Sequence, residues 1–94
     1  MMTVTGFDHV AFHVADLERS RRFYGGALGL PEKHRPDFSF PGAWYDLGQG
    51  QAIHLIQRPP KEAPYTVPRE RHVALRVDDV KAAERRLMGL GCDV

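Results

Sequence analysis

Residues 9–17 and 72–80 read HVAFHVADL and HVALRVDDV, nearly the same nine letters twice. Five of the nine match identically at an offset of 63: His9/His72, Val10/Val73, Ala11/Ala74, Val14/Val77 and Asp16/Asp79. Further along, Ala27-Leu28-Gly29-Leu30 resembles Gly89-Leu90-Gly91-Cys92 at an offset of 62. A chain that repeats itself in this way is built from copies of one supersecondary unit, each needing the other to bury its apolar face. This repetition constrains the fold more than any bulk property does.

Each copy opens on a strand. Val10, Phe12 and Val14 alternate with His9, Ala11 and His13, and Val73, Leu75 and Val77 alternate with His72, Ala74 and Arg76. Period 2 puts one apolar face against a core and a small or polar face opposite. A helix follows each strand. Asp16 and Asp79 stand as N-caps. Leu17, Phe23, Tyr24 and Leu28 make the first apolar stripe, and Val80, Ala83, Leu87 and Leu90 the second. Gly29 and Gly91 stop the helices, while Gly25 and Gly26 weaken the last turn of the first. The basic run Arg19, Arg21, Arg22 reads as a solvated helix face.

The first copy continues with three short strands: Glu32 to Arg35, Ala43 to Leu47, and Gln51 to Gln57. The last two are joined by the turn Gly48-Gln49-Gly50. Pairing Leu47 with Gln51 sets Tyr45 opposite Ile53 and Trp44 opposite His54. Tyr45, Leu47, Ile53 and Leu55 then share one face, and Trp44, Asp46, Ala52, His54 and Ile56 the other. The loop PDFSFPG, 36–42, carries two aromatics, Phe38 and Phe40, as a lid or as a partner contact.

The expected architecture is therefore α+β. A βαβββ module occupies 1–57, a Pro-rich linker 58–71, and an incomplete second module, one strand and one helix, 72–94. A full second copy would require roughly 35–40 further residues, so the chain reads as C-terminally truncated. An uncovered apolar face and an open sheet edge favour self-association, as a homodimer.

Composition excludes several classes. The 94 residues carry a net charge of +1, which gives no field to attract nucleic acid or an anionic membrane. No apolar run reaches the length of a membrane span, and the N-terminus lacks a secretory pattern. Cys92 is the single cysteine, so no internal disulfide is possible. A cytoplasmic protein acting on a small molecule fits these facts.

The segment FDHVAFHVADLERSRRFYGGALGL resembles the opening of vicinal oxygen chelate proteins, the glyoxalase, bleomycin-resistance and extradiol dioxygenase superfamily. AIHLI at 52–56 and RHVALRVDDV at 71–80 stand where that family has its fourth strand and the first strand of its second module. The resemblance implies a glyoxalase-like fold whose paired modules form a cup. It also implies metal ligands at His9, His54 and His72, with a fourth, often a glutamate, beyond Val94. All three histidines fall on the polar faces of their strands. Three imidazoles suit Zn, Fe, Mn, Ni or Co and leave positions open for water or substrate. A truncated chain without the fourth ligand is also compatible with loss of the metal.

Around these positions, His13 reads as a wall of a substrate pocket. Trp44 lines such a pocket or serves as a core aromatic. Arg76 holds an anionic group of a substrate or makes a surface ion pair. Two functions compete. One is a divalent-metal-dependent lyase, isomerase, transferase or dioxygenase acting on a small oxygenated substrate. The other is a non-catalytic drug-binding protein of the bleomycin-resistance type, with Trp44, Phe38 and Phe40 carrying affinity. A truncated product with no activity of its own is a third outcome.

Overall fold

The computed structural model describes residues 2–58 and 72–94. They fall into two compact units, 2–58 in one and 72–94 in the other. The linker expected at 58–71 lies outside the described residues apart from Arg58.

The first unit is a mixed four-stranded sheet with one helix against it. Its elements are β1 (His9–Val14), α1 (Leu17–Arg21), a π-helical segment (Arg22–Ala27), β2 (Glu32–Lys33), β3 (Gly42–Gly48) and β4 (Gln51–Gln57). The strand order is β1-β4-β3-β2, with β1 parallel to β4 and the other pairs antiparallel. The parallel pair requires a crossover, and α1 with its π-helical continuation supplies it. Together with the second unit's helix, α2 (Val80–Gly89), the fold is α+β as expected.

Alternation sorts the side chains. Leu17, Ala43, Tyr45, Ile53 and Leu55 form the buried core, with Phe12, Val14, Tyr24, Leu30 and Leu47 packed around it. The opposite face of the sheet carries His9, Ala11, Trp44, Ala52 and His54. The expected pairs Tyr45/Ile53 and Trp44/His54 are present. One detail differs: Gly48, not Leu47, pairs with Gln51, because the strand is irregular between Asp46 and Gly48. The turn explains this. Gln49 and Gly50 have φ of 54° and 75°, the two left-handed residues of a tight hairpin turn, and Gly48 adds a third at 82°.

The first helix departs from expectation after Arg21. Asp16 caps it, its side chain accepting from the backbone N–H of Arg19 at 3.1 Å. Then six residues wind as a π-helix, with the Leu28 N–H donating to the Phe23 carbonyl at 2.9 Å. A π-helical segment is the signature of one inserted residue in an α-helix. The second copy lacks that residue: cap to stop glycine is 13 positions from Asp16 to Gly29 and 12 from Asp79 to Gly91. The drift of the offset from 63 to 62 is thus absorbed in this turn. The extra residue also rotates the stripe. Phe23, expected in the core face, is 38% exposed, whereas Tyr24 packs on Tyr45 at 6.3 Å between ring centroids.

Arg21 is not part of a solvated face. Its guanidinium bonds Glu32 at 2.6 Å and the Gly42 carbonyl at 3.3 Å, tying α1 to β2 and β3. Gln57 makes a second tie. Its Oε1 accepts from the Leu17 N–H at 2.9 Å and its Nε2 donates to the Ala15 carbonyl at 2.7 Å, closing the turn between β1 and α1.

In the second unit, Asp79 caps α2 by accepting from the Ala82 N–H at 3.0 Å. Gly91, at φ 82°, ends it, and the Cys92 N–H reaches back to the Leu87 carbonyl at 2.9 Å. Val80 and Leu90 of the expected stripe are exposed. The strand expected at 72–77 does not form: no described residue pairs with it. Alternation selects a strand face, but a ladder needs a partner, and sequence pattern does not supply one.

Candidate functional site

The open face of the first unit's sheet carries a row of rings. Lys33 on β2 lies opposite Trp44 on β3, which lies opposite His54 on β4. Ala11 of β1 is the position opposite His54. Its small side chain leaves space into which His9, two residues earlier on the same face, leans. The result is a continuous stack. Trp44 and His54 are 4.1 Å apart between centroids and 7° from parallel; His54 and His9 are 4.0 Å apart and 11° from parallel.

The loop between β2 and β3 walls one side. Phe38 meets Trp44 at 6.1 Å and stacks on Phe40 at 5.4 Å, with rings 4° from parallel. The Arg35 guanidinium lies 4.8 Å and 5.0 Å from those two ring centres and donates to the Phe40 carbonyl at 2.8 Å. The two aromatics are thus organised around Arg35 within the same unit. Rings, loop and strand ends enclose a cleft of about 460 Å³, floored by Ala52 and Ile56 and lined by Asp8, Lys33 and Arg35 as well. That volume is in the usual range for a small-molecule site.

Asp8 orients His9. Its carboxylate accepts from His9 Nδ1 at 2.7 Å. This hydrogen bond, and the positive charge on His9, hold the Asp8 carboxyl below the usual 3.8. An ionised carboxylate can only accept, so His9 carries a proton on Nδ1, and in the neutral imidazole it is Nε2 that has the lone pair. A carboxylate placed in this way is the common partner of a metal-binding imidazole. His54 is shifted as well: burial, then the positive charges of His9 and Lys33, push its imidazole below the usual 6.5. That shift favours its neutral form, the one that binds metal.

Of the residues singled out from sequence, His9, His54 and Trp44 come together here. His13 is exposed on β1 opposite Ile56 and does not line the cleft. His72 and Arg76 belong to the second unit, where both are exposed. No three His, Cys, Asp or Glu side chains converge among the described residues. Asp8, Lys33 and Arg35 escaped the sequence reading. Lys33 was legible in principle, since a strand pairing Glu32 with Tyr45 must turn Lys33 to the face of Trp44.

Comparison with known proteins settles the ancestry. The profile of a glyoxalase-like domain matches residues 9–94. The chain belongs to the glyoxalase-like domain family. Its glyoxalase-like fold recurs in solved structures. A Bacillus anthracis protein assigned to the glyoxalase family superposes with a TM-score of 0.79 at 25% identity, covering 97% of this chain and 74% of that one. FosX, a genomically encoded fosfomycin resistance protein from Listeria monocytogenes, gives 0.70 at 18% identity, covering 95% and 68%. Lactoylglutathione lyase from Agrobacterium tumefaciens gives 0.66 at 20% identity, covering 96% and 73%. No curated protein sequence matches the chain. The last two structures, at 18% and 20% identity, share the fold alone.

Proposed function

We propose that this chain is a divalent-metal-dependent enzyme acting on a small oxygenated substrate held in the cleft between Trp44 and the Phe38–Phe40 wall. The observation that carries the reading is the His9–His54 pair on adjacent strands, with Asp8 fixing His9 so that Nε2 is free. Those donors fit a transition metal in kind. His9 and His54 would supply two of its ligands. Zinc-bound imidazole nitrogens sit about 2.0–2.1 Å from the ion along converging lone pairs. The two rings lie in separate, nearly parallel planes, so one imidazole would have to turn about its side-chain torsions for both to reach one ion. A metal held here would act as a Lewis acid on neighbouring oxygens of a substrate. The chain's own residues position that substrate: Trp44 and Phe38 exclude water along its apolar side, and Lys33 faces its charged end.

Elemental analysis of the purified chain tests this. One equivalent of transition metal is expected, lost in His9→Ala and in His54→Ala. A chain that takes up no Zn²⁺, Co²⁺, Ni²⁺, Mn²⁺ or Fe²⁺ in calorimetric titration would overturn it.

A second reading is favoured by the ring stack alone, a platform that binds a small molecule without metal, as a sequestering protein of the bleomycin-resistance type does. Ligand binding of equal strength with and without metal, and no turnover, is the outcome that selects it. We also propose that the working form is a homodimer, supported by the exposed apolar alternation of Val73, Leu75 and Val77.

A further inference from the structure

We propose that the cleft selects a planar aromatic carboxylate, its ring over the Trp44–His54–His9 stack and its carboxylate on Lys33 and Arg35. The inference rests on the reading of this cleft as the ligand site and adds the chemical class of what enters it.

Three features converge on that class. The first is the stack itself. Because Trp44, His54 and His9 cover one another's faces at 4.0–4.1 Å, what they turn toward a ligand is their edges. Aromatic C–H edges are the positive part of the ring quadrupole, and the indole edge of Trp44 also carries an N–H donor. An electron-rich π-face fits such a surface, as does an anionic oxygen.

The second is charge. Lys33 and Arg35 both line the cleft, against one carboxylate, Asp8, which His9 already engages. The two cations are not equivalent. Arg35 is fixed by the Phe40 carbonyl and by two aromatic rings, so it presents a preset guanidinium. Lys33 sits at the end of the row Lys33–Trp44–His54 and can swing to an anion at the indole end. A cationic drug would meet both. This charge arrangement disfavours planar cations and favours planar anions.

The third is shape. Phe38, tilted 49° to Trp44, closes the cleft on the indole side, and Ala52 and Ile56 give a floor with no hydrogen-bonding side chain. An aliphatic anion would satisfy the cations and leave the walls wet. A neutral aromatic would fill the walls and leave the cations without a partner.

The chain has one tryptophan, so its single indole N–H resonance reports on this cleft without assignment. The metal-free chain is titrated with 2-naphthoate, 2-naphthylmethanol, 2-naphthylmethylammonium and cyclohexanecarboxylate while that resonance is followed. 2-Naphthoate is expected to bind on the order of tenfold more tightly than the alcohol, the size of one charge-assisted hydrogen bond. The ammonium and the aliphatic acid should bind more weakly still. Raising the salt should erode the preference for naphthoate over the alcohol. Lys33→Met, an exposed position whose folding is checked by amide dispersion, should bring naphthoate down toward the alcohol and leave the alcohol unchanged. Equal binding of naphthoate and alcohol, or tighter binding of the ammonium, overturns the proposal, as does an indole resonance that moves with none of them. Its fate is separable from that of the metal. A chain that prefers naphthoate yet takes up no metal sinks the enzyme reading alone, and a chain that takes up metal without the anion preference sinks this one alone.

Discussion

Single side chains decide how this sheet meets its helix. Gln57 is the clearest case, since its amide satisfies the Leu17 N–H and the Ala15 carbonyl at once. Gln57→Leu keeps the size and leaves both groups without that partner, so a loss of about 2 kcal/mol is expected, read as a lowered urea midpoint at unchanged slope. On the other face, His54 couples the ring stack to pH. Its folded value lies below the usual 6.5, first because burial strips water from the imidazolium and then because His9 and Lys33 are positive. As pH falls, the unfolded chain therefore takes up this proton first. The stability at stake is fully present above about pH 6.5 and is lost as pH falls through the lowered folded value. A ¹H titration of the metal-free chain should place the His54 midpoint below that of the urea-unfolded chain; a midpoint at or above it would refute the stacked arrangement. Asp8 is shifted in the same direction but acts in a separate window, below 3.8.

Elements were legible wherever a local rule was sufficient. Asp16 and Asp79 cap helices, Gly29 and Gly91 take φ of 70° and 82°, and the Trp44/His54 pairing follows from alternation plus a tight turn. What sequence could not give was set by spacing in three dimensions. The His9–His54 stack depends on a parallel register between strands some 40 positions apart, and the Arg35 clamp on a loop with no periodicity. The π-helical segment lies between these cases: the change of repeat offset from 63 to 62 encodes it, but only the structure says in which turn the extra residue sits. Its two glycines then part company. A Cβ at Gly25 would stand 3.2 Å from the Tyr45 ring, which is buried and cannot retreat, whereas a Cβ at Gly26 meets nothing within 4 Å. Gly26→Ala should therefore stabilise by about 0.5–1 kcal/mol through loss of backbone freedom in the unfolded chain. Gly25→Ala should destabilise by about 1–3 kcal/mol through overpacking against Tyr45. Thermal denaturation of the two variants side by side checks the contrast, and equal shifts would contradict the placement of the insertion.

At the scale of the molecule, one motif meets two fates. In the first copy Phe12 and Val14 pack against a core, and His9–Val14 pairs along its length with β4. In the second, Val73, Leu75 and Val77 repeat that alternation and remain 43%, 42% and 46% exposed, with no ladder among the described residues. Burying a Val or Leu completely is worth about 1.5–3 kcal/mol, and these side chains are already about half covered. Three from each of two copies would thus gain about 4–9 kcal/mol, against an association cost of about 4 kcal/mol or more. The surplus is at most about 5 kcal/mol, so pairing through this segment is expected to be weak and concentration-dependent, with a dissociation constant no tighter than about 0.2 mM unless strand hydrogen bonds add to it. Sedimentation equilibrium across a wide concentration range should show a monomer–dimer equilibrium. Leu75→Lys should shift it to monomer, because a charge on the apolar face cannot be buried unpaired. A chain that sediments as monomer even at concentrations used for NMR, or a dimer indifferent to Leu75→Lys, would remove the apolar alternation at 73–77 as the interface.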